Sequence, residues 1–81
     1  MTKLTLAGIE FRVDSASNIE SDSESLEFRL PSDDRGELVI NVVQIGEYGS
    51  PDVSIAVFRE LPLDVVEAVI GYARKRFGLV G

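Results

Sequence analysis

Residues 38–45 read Leu38-Val39-Ile40-Asn41-Val42-Val43-Gln44-Ile45. The run is nearly continuous in apolar character, rich in β-branched Val and Ile, and too short for a helix of ordinary length. Such a run reads as a central strand buried on both faces. Upstream, Ser25 to Leu30 alternates cleanly, with Leu26, Phe28 and Leu30 on one face and Ser25, Glu27 and Arg29 on the other. This is the period of a half-buried strand. Between the two lies Pro31-Ser32-Asp33-Asp34-Arg35-Gly36, where Pro presets a turn dihedral, Asp bonds the local backbone and Gly36 accepts positive φ. A hairpin follows. Downstream, Gly46-Glu47-Tyr48-Gly49-Ser50-Pro51-Asp52 breaks the run, and Val53, Ile55 and Val57 alternate again up to Arg59. This predicts a second hairpin.

Toward the N-terminus, Leu4 and Leu6 are followed by Ile9, Phe11 and Val13, so the apolar parity switches across Ala7-Gly8. One extra residue in a strand produces that switch, and glycine tolerates a bulge. The expectation is one bulged strand over 3–13. Two short strands around a tight turn at Ala7-Gly8 would leave little for either side to pair. Residues 14–25, Asp-Ser-Ala-Ser-Asn-Ile-Glu-Ser-Asp-Ser-Glu-Ser, hold Ile19 as their one strong apolar residue, so an acidic, Ser-rich loop is expected there.

The C-terminal segment is helical. Pro62 suits a first turn, Asp64 and Glu67 sit where the helix dipole favours anions, and Arg74, Lys75 and Arg76 sit where it favours cations. Gly78 fits a left-handed C-cap, with Leu79 folding back on the last turn. Val66, Val69, Ile70, Ala73 and Phe77, widened by Leu63, form one apolar stripe at helical spacing. The predicted fold is therefore α+β: a four-stranded antiparallel β-meander, its first strand bulged near Gly8, with one C-terminal α-helix packed on one face. Residues 1–81 form a single domain, near the size at which a hydrophobic core just outweighs chain entropy.

One helix covers one face of such a sheet. If Val53, Ile55 and Val57 face the helix, then Ala56, Phe58 and part of the row Val39, Val43, Ile45 remain for the other side. Apolar area left open in this way marks an interface unless a strand or Ile19 folds over it. A symmetric homodimer with Val39, Val43, Ile45 and Phe58 as anchors is one reading, through the sheet face or a sheet edge.

Chemistry is narrowly bounded. The chain has no His and no Cys, which removes the usual general base near neutral pH, the Ser-His-Asp arrangement, imidazole and thiolate metal ligands, and disulfides. The two lysines, Lys3 and Lys75, occupy a terminus and a charged helix end. Paired carboxylates can hydrolyse glycosides, but a domain this small seldom builds a cleft between them. Asp22-Ser23-Glu24 and Asp33-Asp34 offer oxygen ligands without EF-hand spacing, and no Gly-rich phosphate loop feeds a helix. No enzyme, metal site or cofactor is expected.

Charge speaks instead about partners. From Asp14 to Glu37 eight acids stand against two bases, and the six acids and six bases elsewhere cancel, so the formal charge of -6 belongs to this one segment. Arg74-Lys75-Arg76 is too small a basic cluster to bind nucleic acid directly. The expected function is that of a small acidic module that engages a basic protein partner. It would neutralise a nucleic-acid-binding protein or toxin, as immunity proteins, antitoxins and phage-coded inhibitors do, with Glu20, Asp22, Glu24, Asp33 and Asp34 as contacts. The alternative is an assembly subunit that homo-oligomerises through the uncovered sheet face. The N-terminal segment is interrupted by charge, unlike a signal peptide, and no run is long enough to span a membrane, so a soluble, cytoplasmic protein is expected.

Overall fold

Two adjacent residues with positive φ, Ala7 at 50° and Gly8 at 82°, begin the sheet in the computed structural model, which describes residues 2–31 and 36–79. Positive φ at both central residues is the signature of a type I′ turn. It joins strand β1 (Thr2–Leu6) to β2 (Ile9–Asn18), with Leu6 opposite Ile9 and Leu4 opposite Phe11. The parity switch is therefore a two-residue hairpin, correcting the expected bulged strand. In such a hairpin even positions pair with odd ones, so Leu4, Leu6, Ile9, Phe11 and Val13 share one face. Ala7 holds its left-handed conformation at a cost of about 1 kcal/mol, and asparagine removes most of that cost. Ala7→Asn is expected to raise stability by roughly 0.5–1 kcal/mol in urea unfolding.

The polar stretch 14–25 is also not a loop. β2 continues to Asn18 and β3 (Ser23–Leu30) returns antiparallel, with Asp14 opposite Glu27, Ala16 opposite Ser25 and Asn18 opposite Ser23. Four residues connect them. Asn18 Oδ1 accepts the backbone N–H groups of Glu20 (3.0 Å) and Ser21 (3.3 Å), and Asp22 takes the left-handed position at φ 48°. These side-chain bonds to the backbone make Asn18 a turn residue. The strand needs little apolar burial of its own because β3, backed by β4, supplies its hydrogen-bonding ladder.

Strands β4 (Glu37–Ile45) and β5 (Val53–Val57) complete an antiparallel sheet of order β1-β2-β3-β4-β5, and helix α1 (Leu63–Arg76) follows. The described residues thus hold five strands, one more than expected, and one C-terminal helix. The bulge lies in β4: Phe28 pairs with Ile40 and Arg29 with Leu38, leaving Val39 as the extra residue. Val39 and Ile40 are both fully buried in the core. Val39 is thereby removed from the outer face that its alternation with Val43 and Ile45 predicts for it.

The core joins Phe11, Val13, Leu26, Phe28, Ile40 and Val42 of the sheet to Val65, Val69, Ala73 and Phe77 of the helix. The helix starts after Pro62 and ends in a Schellman arrangement, with the Leu79 N–H on Arg74 O (2.7 Å) and the Gly78 N–H on Lys75 O (3.2 Å). Its inward row is i, i+4 from Val65. The predicted stripe is wider than the surface available to it, so Ile70 stays 40% exposed and Leu63 75%.

Candidate protein-binding surface

The turn 19–22 and the loop 46–52 lie at the same end of the sheet, because β2, β3, β4 and β5 are successive antiparallel neighbours. The Gly46 N–H donates to Asp22 O (2.7 Å) and joins them directly. The loop is fastened from below. Ser50 Oγ donates to Ile45 O (2.6 Å), and the Gly49 N–H donates to Phe77 O (2.8 Å) at the end of the helix. Gln44, 1% exposed, donates from Nε2 to Ser50 O (3.0 Å) and to Phe77 O (2.9 Å). A buried amide with two carbonyl partners ties strand, loop and helix into one support. The Tyr48 ring lies against Gly78, where a Cβ would come within 2.6 Å of the ring.

On this support stand two large, exposed side chains, Ile19 at 94% and Tyr48 at 76% exposure. Both line a groove of about 280 Å3 that also takes in Asp22, Glu24 and Glu47. On the other side of the same turn, Ile19 and Glu20 border a shallow hollow floored by Ala16, Ser25, Asn41 and Val43. The Asn41 Oδ1 is buried there without a hydrogen-bond partner. The tip therefore combines an apolar projection with a rim of carboxylates.

Of the five acidic contacts expected from sequence, Glu20, Asp22 and Glu24 meet at this tip, and Asp33 and Asp34 lie outside the described residues. The remaining acids of the segment disperse. Asp14 and Glu27 stand mid-sheet, side by side in the ladder, with Arg29 3.6 Å from Glu27. Glu37 pairs with Leu30 at the opposite end of β3 and accepts from Arg59 at 3.0 Å. Antiparallel pairing sends alternate turns to opposite ends, so one continuous acidic stretch of sequence does not make one acidic face. The helix end with Arg74, Lys75 and Arg76 lies at the tip end, since Phe77 O accepts from the loop.

The open face offers little apolar continuity. Its rows run Arg12, Arg29, Leu38; then Asp14, Glu27, Asn41, Ala56; then Ala16, Ser25, Val43, Ser54. Of the residues proposed from sequence as an oligomer face, Val43 is half-buried, Ile45 is 43% and Phe58 57% exposed, and Val39 is in the core. Sequence reasoning missed Tyr48 and Glu47 as surface features. Their position within a seven-residue break rich in Gly, Ser and Pro is the one local signal of a displayed loop.

Among the described residues no three carboxylates converge on a common point suited to a metal ion. No helix among them is long and apolar enough to cross a membrane. The fold and tip define a small α+β class: a five-stranded antiparallel meander backed by a C-terminal helix, with its most exposed side chains on a braced hairpin end. Comparison with family models, curated proteins and solved structures finds no match.

Proposed function

We propose that this chain is a protein-binding module whose tip engages a basic protein partner. The observation that carries this reading is the almost complete exposure of Ile19 beside Tyr48, rimmed by Glu20, Asp22, Glu24 and Glu47 on a hydrogen-bonded support. Exposed aromatic and aliphatic side chains on a rigid base are the raw material of binding hot spots. Carboxylates around them speed encounter with a basic surface and set specificity. A nuclease, toxin or other nucleic-acid-binding protein presents such a surface, and tip carboxylates can fill the positions of its phosphates.

The test is a pull-down from lysate of the source organism at low and high salt, followed by affinity measurement on the captured partner. The triple variant Glu20→Lys, Asp22→Lys, Glu24→Lys is expected to slow association at low salt by roughly tenfold or more, and Ile19→Ser to speed dissociation by a similar factor. Ile19 is solvated, so the fold of that variant is intact. Capture that is indifferent to salt and to both variants would overturn the reading.

A further inference from the structure

We infer that the outer edge of β5 pairs with the β5 edge of a second copy of this chain, in a two-fold antiparallel register centred on Ile55. The inference is independent of the tip.

The two sheet edges differ. β1 carries Lys3 as the second of its five residues, the kind of charge that keeps an edge from pairing. β5, Val53-Ser54-Ile55-Ala56-Val57, carries no charge, proline or bulge, and Phe58 follows it. In a chain of net charge -6 this is a neutral, β-branched edge. A basic partner finds no carboxylate along it, and a second copy meets no like charge.

The hydrogen-bond alternation is also self-complementary. The Ile45 N–H donates to Asp52 O and the Phe58 N–H to Val39 O, both at 2.8 Å, so positions 52, 54, 56 and 58 direct their backbone groups toward β4. Ile55 and Val57 therefore direct both their N–H and C=O groups outward, and Val53 its C=O, since the Val53 N–H donates to Pro51 O (2.9 Å). A two-fold axis at Ile55 sets Ile55 opposite Ile55 of the second copy, and Val53 opposite its Val57. Each outward-facing residue thereby meets another.

The side chains follow the same symmetry. Ile55 (41% exposed) and Val57 (45%) lie on the helix side, where the edge opens into a groove of about 220 Å3 lined by Val42, Val53, Ile55, Ile70, Leu79 and Arg74, whose guanidinium donates to Leu79 O (3.2 Å). Ile70 is 40% exposed on the facing side of the helix. Pairing closes both grooves with the aliphatic side chains of the opposite copy. Phe58, 57% exposed just after the strand, and Leu63, 75% exposed at the start of the helix, extend the apolar margin of this edge. The result is a ten-stranded sheet with the two tips at opposite ends.

Sedimentation equilibrium on the full chain tests this, with circular dichroism to check folding. Wild type is expected as a dimer. Ile55→Lys and Ile55→Glu, each placing like charges across the axis at a half-exposed position, are expected to raise the dimer dissociation constant about 100-fold or more. An equimolar mixture of the two variants is expected to restore the dimer mass, since residue 55 meets residue 55. Ile70→Glu, outside the strand ladder, is expected to weaken the dimer without altering the strand. A wild-type monomer at all concentrations, dimers that persist in the Ile55 variants, or a mixture that stays monomeric would each overturn the inference.

Discussion

Phe28→Ala is expected to cost about 3–5 kcal/mol, the usual range for removing a buried aromatic ring. A domain of this length has a total stability of roughly 4–12 kcal/mol, so this loss populates the unfolded state measurably near room temperature. Phe28 is fully buried at the centre of the sheet. Its ring makes edge contacts with Phe11 on β2 (centroids 5.9 Å, 88°) and with Tyr72 on α1 (6.0 Å, 85°). Its removal leaves a cavity bounded by three elements whose backbones are held by the sheet ladder and the helix, so collapse cannot fill it. Urea unfolding followed by near-ultraviolet circular dichroism reads both the lower midpoint and the loss of the aromatic environment. A loss under 1 kcal/mol would mean that the sheet and helix repack freely.

Gln44→Leu is expected to cost about 2–4 kcal/mol despite replacing a polar side chain with an apolar one in the interior. Two carbonyls, Ser50 O and Phe77 O, lose a donor, and Phe77 O keeps only the Gly49 N–H. Gln44→Glu preserves the shape but sets a carboxylate against both carbonyls, so it is expected to be the costlier change. Because Gln44 joins loop, strand and helix end, the loss falls first on the tip. Hydrogen exchange at the Gly46 and Gly49 amides should accelerate at denaturant concentrations that leave the β2–β3 ladder protected. Uniform acceleration across the sheet would show that Gln44 supports the whole fold and no particular end of it.

The contrast between these residues shows why parts of the fold were legible in sequence. Phe28 belongs to a strict alternation, so its burial could be read from Leu26 and Leu30. Gln44 interrupts an apolar run, and its burial depends on carbonyls six and 33 residues away. The C-cap at Gly78 was legible because a Schellman turn is local chemistry. The strand over 14–18 was not, because its hydrogen bonds are made by a neighbour whose own burial comes from β4. The parity switch at Ala7-Gly8 was visible, but a bulge and a two-residue hairpin both produce it. Pairing of β1 with β2 as far as Thr2 opposite Val13 distinguishes them.

The candidate surfaces divide in the same way. Glu20, Asp22 and Glu24 were identified from charge, and the tight turn closed by Asn18 keeps them together. The wider acidic segment is continuous in sequence, yet each antiparallel reversal carries successive acids to different ends of the sheet. Val39 moved inward through a one-residue bulge that no composition signals. The edge of β5 was written in its five uncharged residues, but which backbone groups face outward was set by its register with β4.

By itself, then, the sequence determined the α+β class, the C-terminal helix with its cap, the hairpins about β4 and the absence of imidazole and thiol chemistry, because these depend on residue type and on periods of two to four residues. Tertiary structure alone decided the strand count, the inward turn of Val39, the bracing of the tip by Gln44 and the separation of the acids. Each of these depends on pairing between distant segments, where the partner's burial and hydrogen bonds outweigh local preference.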